Sequence, residues 1–228
     1  MGLVNIQMTN FENGVNNRNA ADPFGSMAQL DPTRFHNFME DFDAFVAADW
    51  TLVTTGSTAL QALDGGVLRL VTGAVATNEE SLFKAVGNFE LLASIPTYFR
   101  AKIEVDEATE CNINVGLADS AALAPNNCIQ FRKDTADLDM DVLLRSASAD
   151  VDVDTAVAQI ANATSFTVEF YWDGIDRIYY GMNGNALGFL DAATLPAGVL
   201  SPTLSVFAGA AGAVTLDLDY LFAATERS

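Results

Sequence analysis

An all-β chain, folded as two antiparallel sheets in a jelly-roll-like sandwich with an extended N-terminal arm, is what this sequence predicts. Three observations carry that reading. Residues 166–174 alternate apolar and polar up to Asp173-Gly174, and 177–182 alternate again up to Asn183-Gly184. Residues tolerant of positive φ sit where the chain must reverse, between β-branched and aromatic neighbours, which is the grammar of hairpins. In Phe99-Arg100-Ala101-Lys102-Ile103-Glu104-Val105-Asp106 the odd positions are apolar and the even ones charged. One face is therefore core and the other wet, as in an antiparallel sheet. Finally, no helical pattern of about 10–15 residues separates the strands, which excludes a βαβ architecture.

The elements follow in order. Residues 1–35 form the arm, because Asn5, Asn10, Asn13, Asn16, Asn17 and Asn19, with Gly14, Pro23, Gly25 and Pro32, leave no periodic face to bury. Such an arm frays unless something holds it, so a neighbouring subunit is the expected clasp. Residues 36–228 form the sandwich domain. Its strands are expected near 49–55, 67–72, 81–86, 97–105, 112–117, 128–133, 140–145, 149–154, 164–172, 177–182, 203–207 and 214–222. Between them lie Asp64-Gly65-Gly66, Gly87-Asn88, Pro125-Asn126-Asn127, Asp173-Gly174 and Asn183-Gly184, all turn chemistry. Residues 155–163 fit neither strand nor helix clearly, and 88–94 suit a short turn of helix.

Charge and composition exclude several functions. The 228 residues carry 30 acidic and 11 basic side chains, a net charge of −19. That surface repels phosphate backbones and anionic lipid, so neither nucleic acid nor membrane is an expected partner. Every apolar stretch is interrupted before the roughly 18 residues of a membrane span. The N-terminus lacks a secretory pattern and the hydroxyl residue of a myristoylation signal, so synthesis and use without membrane crossing are expected. Cys111 and Cys128 match no zinc signature and are expected as small core residues, with a bridge between adjacent strands as the alternative.

Candidate chemistry is sparse. Glu104, Asp106 and Glu110 resemble the acidic cluster of sandwich-fold glucanases, but Glu107-Ala108-Thr109 breaks the strand that should carry the third acid. A solvated strand edge is expected, and no catalytic residue is assigned. Alternating aspartates (137, 139 and 141, then 150, 152 and 154, then 217 and 219) could converge on calcium, although no stretch has the twelve-residue calcium loop. No cofactor is expected; calcium is the one ion these ladders would admit. His36, the only histidine, is expected to pack or cap. Trp50, Trp172, Tyr171, Tyr179 and Tyr180 could build a sugar-stacking platform, or serve as core and cross-strand pairs. Tyr179 and Tyr180 are consecutive, so at most one of them is core.

Three segments carry a family resemblance. They are Phe38-Met39-Glu40-Asp41-Phe42-Asp43 with Trp50, then residues 99–117, and then residues 168–184 with the closing Leu216-Asp217-Leu218-Asp219-Tyr220-Leu221. Together, over roughly residues 38–225, they resemble the concanavalin-like sandwich domains seen in structural proteins of tailed bacteriophages. The resemblance implies a non-enzymatic virion protein, a capsid decoration (cement) protein on the capsid exterior, made in the host cytoplasm. It would bind the major capsid protein and itself, as a homotrimer. The arm would make those contacts, through Asn5, Ile6, Met8, Phe11, Phe24 and Phe35, for example by adding a strand to a sheet edge. The alternative is a lectin-like, carbohydrate-binding sandwich module, for instance on a head or tail fibre.

Overall fold

The structure, a computed structural model, describes residues 35–55, 59–63, 66–86, 89–209 and 212–227. Among these the chain forms fifteen strands: β1 (Phe35–Glu40), β2 (Trp50–Thr54), β3 (Ala59–Leu63), β4 (Val67–Val71), β5 (Glu79–Lys84), β6 (Thr97–Val105), β7 (Cys111–Ala118), β8 (Cys128–Lys133), β9 (Asp139–Ser146), β10 (Ala149–Gln159), β11 (Phe166–Trp172), β12 (Arg177–Met182), β13 (Asn185–Asp191), β14 (Ser201–Ala208) and β15 (Thr215–Glu226). Two sheets result. One runs β13-β12-β11-β6-β15-β4-β3, with β1 also paired to β15; the other runs β10-β9-β8-β7-β14-β5-β2. Every pairing between these strands is antiparallel.

Alternation decides the layers. On β6, Phe99, Ala101, Ile103 and Val105 are fully buried in the core, while Arg100, Lys102 and Glu104 face outward. The facing sheet contributes Ile113, Val115 and Leu117 from β7, Phe131 from β8 and Leu204 and Val206 from β14 to the same cluster. Phe99 stacks on Phe170, ring centroids 5.2 Å apart, and the Trp172 indole N–H donates to the Leu92 carbonyl at 2.9 Å. Among the described residues one cation enters this interior: Lys133 is fully buried at the end of β8, donating to the carbonyls of Cys111 (2.7 Å) and Asp134 (3.0 Å). Burial lowers its pKa below the ordinary lysine value.

All twelve expected strands are present, and three more appear. β1, β3 and β13 were not expected as strands: each is short and half-exposed or lacks strong alternation. Residues 155–159 extend β10 through a register shift between Asp154 and Ala158, which explains their mixed pattern. Residues 89–94 are not helical; Phe89 pairs with Leu200 and Leu92 with Ile95 as isolated bridges. Phe35, placed with the arm on sequence, opens β1 opposite Glu226. The expected contacts Asn5, Ile6, Met8, Phe11 and Phe24 lie outside the described residues. No helix among the described residues is long and apolar enough to cross a membrane.

Candidate functional site

The outer face of the larger sheet divides into a polar half and an aromatic half. Glu104 on β6 lies opposite Asp217 on β15, which in turn lies opposite Arg69 on β4. Arg69 holds Asp217 with two hydrogen bonds of 2.7 Å each, and Lys102 reaches Asp219 at 2.5 Å. Arg69, Glu104, Asp106, Thr215 and Asp217 line a shallow polar recess of about 240 Å³. Asp106 accepts the Thr215 backbone N–H at 2.8 Å, whereas Glu110 sits beyond the strand in the turn Ala108–Glu110. The three acids singled out on sequence therefore do not converge on one cleft. Glu104 and Asp106 share the recess, Asp106 holding the start of β15, while Glu110 belongs to the turn.

The aspartate ladders are likewise committed locally. Asp137 accepts the Asp139 backbone N–H at 2.9 Å, a bond that holds its carboxyl below the usual range. Asp141 takes Arg132 and the Ala156 N–H, and Asp150 pairs with Arg145 at 2.7 Å. Asp152 accepts the Asp191 N–H at 2.8 Å, and Asp154 accepts the Tyr180 hydroxyl at 2.5 Å. Among the described residues no group of three His, Cys, Asp or Glu side chains could hold a metal ion. His36 packs against Phe89, ring centroids 5.3 Å apart. Both cysteines are buried and unbridged.

The aromatic residues split as alternation requires. Trp50, Trp172 and Tyr180 are core. Tyr171 and Tyr179 face outward and lie directly opposite each other. The row they start is longer than the sequence suggested. Tyr171 also lies opposite Tyr98 on β6, and Tyr179 opposite Phe189 on β13. Tyr98-Tyr171-Tyr179-Phe189 thus cross four adjacent strands, roughly 14 Å at the usual strand spacing; Tyr98 is only 2% exposed, so the rings that reach the surface are Tyr171, Tyr179 and Phe189. Phe35 and Phe222 flank the row; Tyr98 and Phe222 are 6.0 Å apart between ring centroids, Tyr179 and Phe189 6.1 Å. Phe189 is 41% exposed, and the Arg177 guanidinium lies 4.2 Å from its ring centroid. Below the row Glu169 is fully buried and accepts the Tyr98 hydroxyl at 2.7 Å, with Arg100 3.9 Å away.

Chemically, this is a shallow aromatic strip edged by hydrogen-bonding groups. Tyr171, Tyr179 and Phe189 offer rings for stacking on an apolar ring face, and Arg177 offers hydrogen bonds at one end. Of its members, sequence reasoning missed Tyr98 and Phe189. Tyr98 was readable, because it continues the outward even positions of β6. Phe189 was not, for a reason of register discussed below.

No protein-family model matches this chain, and no curated protein sequence does. Solved structures do. An endo-1,3-β-glucanase from Streptomyces sioyaensis superimposes with a TM-score of 0.64 at 12% identity, covering 87% of this chain and 99% of that one. The carbohydrate recognition domain of Emp47p gives 0.61 at 12% identity, covering 86% and 98%. Peanut lectin, in a structure with a nine-residue peptide, gives 0.59 at 10% identity, covering 85% and 99%. At these identities the likeness establishes the fold, a concanavalin-like sandwich.

Proposed function

We propose that this protein is a non-catalytic carbohydrate-binding module and that its binding face is the strip Tyr171-Tyr179-Phe189, with buried Tyr98 supporting it from the next strand. The observation that carries the reading is the register: three solvent-reaching aromatic side chains stand directly opposite one another on the outer face of one sheet. Planar rings held by a sheet can stack on the C–H faces of consecutive sugar units, while Arg177 binds hydroxyls at the exposed end. The fold gives the same direction, since lectins and a carbohydrate recognition domain share it, but fold alone does not decide function. Of the acids suggested for hydrolysis, Asp106 is held by the Thr215 N–H and Glu110 lies in the turn away from Glu104, so no catalytic residue is proposed.

The test is retardation in native gels cast with neutral polysaccharides, β-1,3-glucan among them. Tyr179→Ala and Phe189→Ala should each weaken retention about tenfold, the equivalent of one aromatic contact. Circular dichroism should show both variants folded. Failure of every polysaccharide to retard the wild type, or indifference to both substitutions, would sink the reading.

A second reading is a capsid decoration protein on the virion exterior. One observation favours it: Phe35, where the arm would end, packs in the same aromatic cluster. The strip would then be a contact with the major capsid protein or another copy. Light scattering on the full chain and on a chain lacking residues 1–34 separates the two readings. A trimer that dissociates on truncation supports decoration, whereas a monomer in both cases removes self-assembly through the arm.

A further inference from the structure

The outer face of the smaller sheet carries a recess independent of the aromatic strip. Thr51 and Val53 of β2, Glu79 and Phe83 of β5, and residues 119–122 after β7 line an open pocket of about 450 Å³. Its overhanging wall is stitched in place. Ser205 donates to the Ala121 carbonyl and Asn114 to that of Leu123, both at 3.0 Å. Asn127 donates to Asp119 Oδ2 at 2.9 Å, and the Asp119 N–H donates to the Asn127 carbonyl at 3.0 Å. The pocket is therefore preformed, which spares a ligand the cost of ordering a loop.

Its chemistry is one-sided. Val53, Phe83, Ala121 and Ala122 supply an apolar surface, and Glu79 and Asp119 supply two carboxylates from separate elements. Among the described residues no lysine or arginine lines it. Asp119 Oδ1 is shielded from solvent and accepts no hydrogen bond, while burial raises the Glu79 pKa against the opposing bond from Ser81. A complementary ligand must bring a cation with several donors, on a body able to lie against Phe83. A charge-assisted bond from an ammonium group would be accepted by Glu79, with the Asp119 carboxylate adding to the attraction from the opposite wall. The net charge of −19 enriches cations around the molecule.

We propose that this pocket binds a small primary-amine ligand whose body presents an apolar ring face, the chemistry of a hexosamine. The experiment is calorimetric titration of the full chain with glucosamine, N-acetylglucosamine and glucose. Glucosamine should saturate and bind about tenfold tighter than its uncharged analogues, with the preference shrinking at high salt. Glu79→Gln should weaken glucosamine binding about fivefold or more. Val53→Trp, which fills the recess from an edge strand, should abolish it while the circular dichroism is retained. Tyr179→Ala and Phe189→Ala should leave it unchanged, so this site and the aromatic strip fail separately. Equal binding of the three sugars, no saturation, or indifference to both Glu79→Gln and Val53→Trp would overturn the proposal. Loss of glucosamine binding in the aromatic variants would overturn it too.

Discussion

The Tyr180 hydroxyl donates to Asp154 Oδ2 at 2.5 Å, joining β12 of one sheet to β10 of the other. The ring passes directly beneath Gly188: a Cβ there would lie 2.3 Å from the hydroxyl oxygen and 2.7 Å from the ring carbon that bears it. Tyr180 is core and cannot swing aside. Gly188→Ala should therefore destabilise by about 1–3 kcal/mol through overpacking. Tyr180→Phe should cost about 1.5–3 kcal/mol, as expected for a bond to a charged group. Combined with Asp154→Asn it should be distinctly less than additive, because the two side chains share one interaction. Urea denaturation of the four proteins in that cycle checks this, and simple additivity would refute the coupling.

The buried thiols make alkaline stability predictable. Burial pushes Cys111 up to about 11 and Cys128 up to about 12 from an ordinary 9.0. The folded state thus holds these protons more tightly than the unfolded one. Their contribution is complete below the unfolded value and is lost as pH rises toward the folded values. Lys133, lowered by burial, acts in the opposite sense and is common to both proteins compared. Wild type should lose more unfolding free energy than Cys111→Ala/Cys128→Ala between about pH 8 and pH 10.5. Parallel slopes in urea melts would contradict this.

Asn127 is the knot of one end of the sandwich. Its Oδ1 accepts the N–H groups of Ala147 (3.0 Å) and Ala197 (3.1 Å), while its Nδ2 donates to Asp119. Asn127→Ala should cost about 2–3 kcal/mol, roughly one per lost bond. Asn127→Asp keeps both acceptor bonds but sets a carboxylate against Asp119, so its penalty should be larger at neutral than at acid pH. Chemical denaturation at both pH values measures the difference.

Calcium should do little for this fold. All but Asp139 of the aspartates that alternate along the chain already accept backbone N–H groups, arginines, a lysine or the Tyr180 hydroxyl. Adding calcium at a few millimolar should move the melting temperature by less than about 1 °C, because a ligand without a native site gains no linkage stabilisation. A rise of several degrees, reversed by chelator, would restore the ladders as a metal site.

Much of this architecture was legible because alternation and turn chemistry are local. β6, β8 and β12 begin and end where the sequence placed them. Asn183, at φ 52°, and Gly184, at φ 82°, form the tight reversal that their residue types announce. What was not legible depends on pairing. Counting outward from that turn, Met182 opposite Asn185 would put Ile178 opposite Phe189 and send Phe189 into the core. Instead the register shifts between Tyr180 and Gly181: Leu187 is left over, Tyr180 meets Gly188 and Tyr179 meets Phe189. Nothing in the residue types of Ala186-Leu187-Gly188 requires that shift. The steric demand of the Tyr180 ring for a glycine opposite it does, and that demand arises only once the sheets are stacked. The pocket under residues 119–122 was hidden for a similar reason, since Glu79 and Asp119 meet only through tertiary packing.

The surplus residue at Leu187 also means that a single irregularity decides what this surface is. With the bulge, Phe189 stands opposite Tyr179; the same residues in an unbroken ladder would turn Phe189 inward and show Leu190 in its place. Loss of the codon for Leu187 would remove only the surplus and leave Gly188 opposite Tyr180 and Phe189 opposite Tyr179. The far end of the strip is thus protected against one kind of inherited change, the shortening of its own strand at that point.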